Sequence, residues 1–242
     1  MKGAPPSGPA RRDDRIGVAA DESGRQDAGV SSTLRLYTDF VCPFCFIAEQ
    51  STVPRLLAEY DLVLDWRAFE LHPGTPRGGL PLERLFPGRS LPQMHAGTKR
   101  FAARFGVTDF EPPDRLQNSR RALAIAELAR DLDRLEPFRQ AAMTAHWRRG
   151  QDLEDDAALA AIATEAGIDP ARALAAADDA SLLARVDARQ AEARALGVTG
   201  IPTFMIGPEV VVGCQPYEVL AAAAIRVGVA TRTAVAPGGA GR

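Results

Sequence analysis

The sequence predicts an α/β fold interrupted by a large all-helical insertion, and three observations carry that expectation. An apolar extended run, a helical segment and a second alternating run follow one another between Leu34 and Phe69. Nearly everything between about 91 and 196 has helical periodicity. Strand character then returns at Thr203 and gives way to one last helix. The order is β-α-β, helical insertion, β-β-α.

The first strand is Leu34-Arg35-Leu36-Tyr37-Thr38-Asp39-Phe40, which runs into Cys42-Pro43-Phe44-Cys45. Pro43 suits a first helical position, because its fixed φ matches the helix and its missing N–H has no intrahelical acceptor there. Helical spacing continues through Phe46, Ile47, Val53, Leu56 and Leu57, with Pro54 expected to kink or interrupt it. Residues 62–69 alternate as a strand, and a strand-helix-strand unit of this kind is parallel with a right-handed crossover. Cys42 then lies at the carboxyl end of the first strand, the edge where open α/β sheets place their chemistry.

From Leu71 to Pro92 the chain is dense in Pro and Gly, so loop or short turns and a domain boundary are expected. Helices follow at 93–105, 115–131, 136–149, 153–166, 170–177 and 182–196, broken at Gly106, Pro112-Pro113, Gly150, Gly167 and Gly197. Asp169-Pro170 supplies an N-cap and a first helical residue, and the charged helix faces read as solvated exteriors. Residues 203–206 and 210–212 flank a Gly207-Pro208-Glu209 turn as a hairpin. The last helix, from Pro216 to about Val227, is expected to bury Val219, Leu220 and Ile225. The organisation is a sheet-forming part with its loop at 33–90, a helical insertion at 91–196 and a second sheet-forming part at 197–230. Tails at 1–32 and 231–242 are expected to be disordered.

Of the 242 residues, 46% are hydrophobic and 25% charged, ordinary values for a chain with ample core material. A net charge of −2 leaves no electrostatic footprint for nucleic acid. No run is apolar enough to span a bilayer, and the first 32 residues lack the apolar core of a secretory signal, so neither membrane association nor export is expected. Three cysteines are few for a scaffold held by disulfides, and a reducing, cytoplasmic setting fits them better.

Two of those cysteines carry the chemistry. A helix beginning at Cys42 puts Cys45 one turn further on and on the same face, so the two sulfurs can meet. The free N–H groups and positive dipole end of that helix favour a thiolate at Cys42, which makes it the nucleophile and Cys45 the resolving thiol. CxxC is also half of a zinc site, but the remaining ligand types, Cys214, His72, His95 and His146, stand isolated at no ligand-pair spacing, so no metal is expected. The three histidines lack a partner motif and read as surface or core residues. Asp39, three residues before Cys42, suits a capping or loop-fixing role, or proton transfer at the site.

With Gly200-Ile201-Pro202-Thr203 opening the final β-β-α unit, the whole resembles the DsbA family of thioredoxin-fold proteins, and looks closest to its FrnE-like branch. The matching residues are Asp39-Phe40-Val41-Cys42-Pro43-Phe44-Cys45, Phe69-Glu70-Leu71-His72-Pro73, Asn118-Ser119-Arg120 and Gly197 to Phe204. The resemblance implies a thioredoxin fold with a helical insertion and thiol-disulfide oxidoreductase or isomerase activity on protein or small thiol substrates. It implies catalysis by Cys42 and Cys45 with no metal or organic cofactor, and glutathione remains a possible co-substrate. It also implies a cis Pro202 facing the cysteines, with Pro43, Phe44, Ile201 and Pro202 as the substrate-contacting surface and the Ile201 backbone free to pair with an extended segment.

Two positions depart from the family pattern. Phe44 stands where FrnE-like proteins commonly have Trp, which keeps an aromatic surface and removes an indole N–H. Cys214 stands where a small residue such as Ala is usual; it is either a packed apolar side chain or a third thiol that modulates the pair. Kappa-type glutathione transferases and glutathione-dependent isomerases share the architecture but usually carry Ser at the first cysteine, and a chaperone-like binder with a structural disulfide is the non-enzymatic alternative.

Overall fold

The computed structural model describes residues 32–232. The chain opens with β1 (Ser32–Thr38), α1 (Pro43–Gln50), α2 (Thr52–Glu59) and β2 (Leu62–Ala68). β1 ends at Thr38, two residues before the extended run suggested, and Asp39 to Val41 form the turn into α1. The helix breaks at Ser51, whose hydroxyl donates to the Ile47 carbonyl at 2.6 Å. Pro54, three residues later, has no N–H to continue the ladder, so the expected interruption falls one turn ahead of the proline.

The Pro/Gly-rich stretch holds β3 (Leu80–Pro81) and the one-turn α3 (Leu82–Leu85), followed by α4 (Leu91–Ala103). β4 (Arg115–Leu116) pairs antiparallel with β3, so the helix expected from 115 instead begins at Arg120. Gly79 makes this pairing possible: its φ is +67°, and a Cβ there would lie 2.2 Å from the Leu116 carbonyl oxygen.

The insertion continues with α5 (Arg120–Asp131), α6 (Leu135–Trp147), α7 (Asp156–Glu165), α8 (Pro170–Ala177) and α9 (Ala180–Ala195). Asp169 caps α8 as read, accepting from the Arg172 N–H at 2.7 Å. β5 (Thr203–Ile206), β6 (Glu209–Val212) and α10 (Tyr217–Arg226) complete the fold. The main sheet has the order β2-β1-β5-β6, with β1 parallel to β2 and antiparallel to β5, and β5 antiparallel to β6.

An aromatic cluster ties sheet, α1 and insertion into one core. Phe40 stacks on Trp66 at 5.3 Å, Phe46 stacks on Trp147 at 5.6 Å, and Phe138 meets Phe40 edge-on at 6.1 Å. Trp147 Nε1–H donates to the Phe40 carbonyl at 2.8 Å, which fixes α6 to the turn before Cys42.

Three expectations are corrected here. α10 buries Leu220, Ala221, Ala223 and Ala224, while Val219 and Ile225 are exposed, because the small alanines are what let the helix pack closely on its neighbours. The charged helix faces are not all solvated: Arg121, Glu127 and Arg139 are buried, each paired with opposite charge. Most of both expected tails lies outside the described residues. Ser32 nevertheless belongs to β1, and Thr231 bridges to Tyr60 while the Arg232 N–H donates to the Glu59 carbonyl at 2.8 Å.

Candidate active site

Cys42 is the N-cap of α1, in extended backbone with φ −90° and ψ 117°, and Pro43 follows as the first helical residue. No side chain caps this end, so the unpartnered N–H groups of the first turn stay beside Cys42. Its thiol donates to the Ile201 carbonyl at 3.9 Å. The Ile201-Pro202 peptide is cis, as the resemblance implied, and the Pro202 carbonyl accepts the Gly213 N–H at 2.7 Å, so the turn before Cys214 holds this loop in place. All three cysteines are free thiols.

Cys45 lies beneath Cys42 with no exposed surface, and its thiol pKa is pushed well above the ordinary value by burial first and the Cys42 sulfur second. The Asp39 backbone acts the other way. The Thr38 hydroxyl gives its one hydrogen to Glu49 Oε1 at 2.7 Å. Glu49, fully buried on α1, also accepts from Trp66 Nε1 at 3.3 Å and from Arg139 Nη1 at 2.5 Å. Sequence reading missed this group, although Glu49 stands four residues after Cys45 and thus on the same helix face.

Asp39 is buried and does not cap α1; Oδ2 accepts the Leu71 N–H at 2.8 Å, which pins the loop leaving β2. Burial raises its pKa to about 6, against the Leu71 N–H, the Ser119 hydroxyl and the Val41 N–H, and with Glu70 adding to the rise. The two weaker motifs meet at this point. Arg120 Nη1 pairs with Glu70 at 3.0 Å, and Asn118 Nδ2 donates to the Thr75 carbonyl at 2.6 Å. Cys214 is buried, and its thiol is pushed up to about 12 by burial and then by the charge of Cys42.

A cleft of about 880 Å³ opens beside Cys42, walled by Phe44, Met94, Phe101, Pro113 and Trp147, with Ile201 at its edge. Cys42 itself is only 2% exposed, whereas Phe44 is 40% exposed and meets Phe101 of α4 edge-on at 5.2 Å. The insertion therefore supplies the wall facing the cysteines. His72, His95 and His146, set aside in the sequence, all border this cleft. His95 Nε2 lies 3.2 Å from the Pro113 carbonyl, which accepts its hydrogen.

A mixed four-stranded sheet that presents a helix-capping CPxC thiol to the residue before a cis-proline defines the thioredoxin fold. Residues 33–224 match the model of the DSBA-like thioredoxin domain, and the chain belongs to that family. It is similar to a probable DsbA oxidoreductase from Streptomyces coelicolor, with a TM-score of 0.71, 27% identity and coverage of 86% of this chain and 94% of that one. The cytosolic disulfide reductase DsbM from Pseudomonas aeruginosa, solved with GSH, shares the fold at a TM-score of 0.55 and 18% identity, over 80% of this chain and 99% of that one. In sequence, the uncharacterized protein YwbO of Bacillus subtilis (strain 168) is 24% identical over 193 residues, 77% of this chain and 92% of that protein. Among the described residues no helix is long and apolar enough to cross a membrane.

Proposed function

We propose that the protein is a thiol-disulfide oxidoreductase working through Cys42 and Cys45 on small or protein thiols and disulfides. The observation that carries this reading is the position of the Cys42 thiol: at the N-cap of α1, bordering the cleft and 3.9 Å from the Ile201 carbonyl, with Cys45 sealed behind it.

In the reducing direction the Cys42 thiolate attacks one sulfur of a substrate disulfide, forms a Cys42–substrate bond and releases the other half as a thiolate that takes up a proton. Cys45, deprotonated, then attacks the Cys42 sulfur, releases the second thiol and closes the Cys42–Cys45 disulfide. Two electrons pass to the substrate, and both product thiols carry the protons that Cys42 and Cys45 gave up. The oxidising direction reverses these steps. The thiols supply all of this chemistry without an added cofactor, and glutathione fits as the reductant that restores the pair. A reducing, cytoplasmic setting favours the reductase or isomerase direction. In either direction Phe44, Pro43, Ile201 and Pro202 form the contact surface, and the Ile201 backbone offers an edge to an extended substrate.

A titration in glutathione redox buffers, with thiol alkylation and peptide mass spectrometry, tests the reading. A reversible two-electron transition confined to Cys42 and Cys45 is expected, as is a trapped mixed disulfide at Cys42 in Cys45→Ser. A Cys42 that forms only a stable glutathione adduct in the unaltered chain, or stays a thiol throughout, refutes it.

A further inference from the structure

α4 forms one wall of the cleft without being packed into the core: of its 13 residues only Ala102 is buried. Met94, Gly97, Thr98 and Phe101 border the cleft, and their spacing of three and four puts them on one helix face. Phe101 meets Phe44, two residues beyond Cys42, so this face starts at the reactive end of the cleft. Gly97 lies one turn, about 6 Å, further along it. A glycine has no side chain, so Gly97 borders the cleft with its own backbone, and the wall is notched there.

Glycine in the middle of a helix needs a reason, because it weakens the helix relative to almost any other residue. Conformation does not supply one: Gly97 has ordinary helical backbone and is not among the glycines of positive φ. Packing does not supply one either, since a Cβ there would come within 4 Å of no other element among the described residues. What the missing side chain leaves is room in the cleft. The surroundings of that room are apolar. Met94 and Phe101 flank it, Leu85 and Phe86 border the same space, and the Thr98 hydroxyl gives its hydrogen to the Met94 carbonyl at 3.1 Å.

We infer that Gly97 is a specificity-determining position, and that the substrate class is a small disulfide or thiol with a bulky apolar group, such as an aryl ring, that seats in the Gly97 notch while its sulfur meets Cys42. This deepens the thiol-disulfide reading of the same cleft and rests on it. With diphenyl disulfide the reduced protein breaks the substrate S–S bond, closes the Cys42–Cys45 bond and releases two molecules of thiophenol, which carry the two electrons and the two cysteine protons.

Gly97→Leu fills the notch and Gly97→Ala fills part of it. Both replacements are better helix formers than glycine, so both variants should melt about 2–4 °C above the unaltered chain. Binding of diphenyl sulfide, a thioether that cannot exchange with either cysteine, is followed on the full chain in its dithiol form by tryptophan fluorescence, Trp147 bordering the cleft. Gly97→Leu is expected to weaken it about tenfold or more, the usual result of forcing extra methylenes into a filled space, and Gly97→Ala to weaken it less. In single turnovers the preference for diphenyl disulfide over dimethyl disulfide should fall by the same factor. Equal or tighter binding of diphenyl sulfide in Gly97→Leu, an unchanged preference between the two disulfides, or no detectable binding by the unaltered chain overturns the inference. If Gly97→Leu does not fold, Gly97→Ala decides, with weaker binding expected and equal binding overturning it. Failure of the redox reading would show in the glutathione titration and remove only the turnover comparison; thioether binding then decides alone, so the two failures are distinguishable.

Discussion

Asp39 and His146 are both buried and titrate in opposite senses, and their effects on stability should cancel in the unaltered protein and appear when either is replaced. For Asp39, burial raises the folded pKa from 3.8 to about 6, so between those values the folded chain binds more protons than the unfolded one. Stability from this group is therefore full below pH 4 and is lost as pH rises through about 6, a loss of about 3 kcal/mol. For His146 the folded pKa falls from 6.5 to about 4, so the unfolded chain binds more protons in that window. Its contribution is full above pH 6.5 and is lost as pH falls toward 4, again about 3 kcal/mol. Asp39→Asn keeps an oxygen for the Leu71 N–H and removes the titration; its stability relative to the unaltered chain should climb by about 3 kcal/mol between pH 4 and 6.5. His146→Phe should fall by about the same amount over that range. Urea unfolding at half-unit pH steps, with the slope against denaturant held common, measures both. Two variants whose stability differences from the parent stay flat with pH refute the reasoning.

Three other outcomes follow from contacts at the site. Arg139→Leu strands the buried Glu49 carboxylate and should cost about 3–5 kcal/mol, while Glu49→Leu/Arg139→Leu should cost less than the two single changes added together; additive costs in denaturant unfolding would deny the coupling. Trp147→Phe removes the donor to the Phe40 carbonyl and leaves a buried acceptor unpaired, at about 1–3 kcal/mol by the same assay. Cys214, with its thiol pushed up to about 12, should resist iodoacetamide in the native protein at pH 8 and react only with unfolding, which timed alkylation and peptide mapping would show; prompt native labelling would return it to the role of an active third thiol.

The cysteine pair and the strands around it were legible because each rests on local signals, a proline at a first helical position and alternation at period two, whereas the cis form of Pro202 was legible only through the family resemblance. The depth of the site was not. Glu49 and Arg139 lie 90 residues apart, and nothing local says that a glutamate on an apolar-faced helix is neutralised by an arginine from the insertion. His146 looked partnerless in the chain because, among the described residues, its only hydrogen-bond partner is a backbone carbonyl. Val219 and Ile225 misled because hydrophobicity was weighed over size: in α10 the alanines are buried and the larger residues face outward. The reading of the charged helix faces failed where tertiary pairing offset the cost of burying charge, as at Glu127, which faces Arg185 at 2.9 Å and Arg189 at 3.5 Å.

The order of attack in the proposed reaction follows from how these pieces surround the two sulfurs. Cys45 has no exposed surface, so the only electrophile within its reach is the Cys42 sulfur once that sulfur is bonded to substrate. Until then its thiol is held high by burial and by the charge and hydrogen bond of Cys42. Formation of the mixed disulfide removes that charge, and with it one of the causes that keep Cys45 protonated. The Thr38 hydroxyl does not assist, because its one hydrogen goes to Glu49, which Arg139 of the insertion holds in turn. The resolving thiol thus becomes easier to ionise when there is a bond for it to break. Cys42→Ala takes the charge away for good and should let Cys45 ionise at a lower pH than in the unaltered chain, which ultraviolet thiolate absorbance in a Cys214→Ala background would show; an unchanged Cys45 titration would refute the argument.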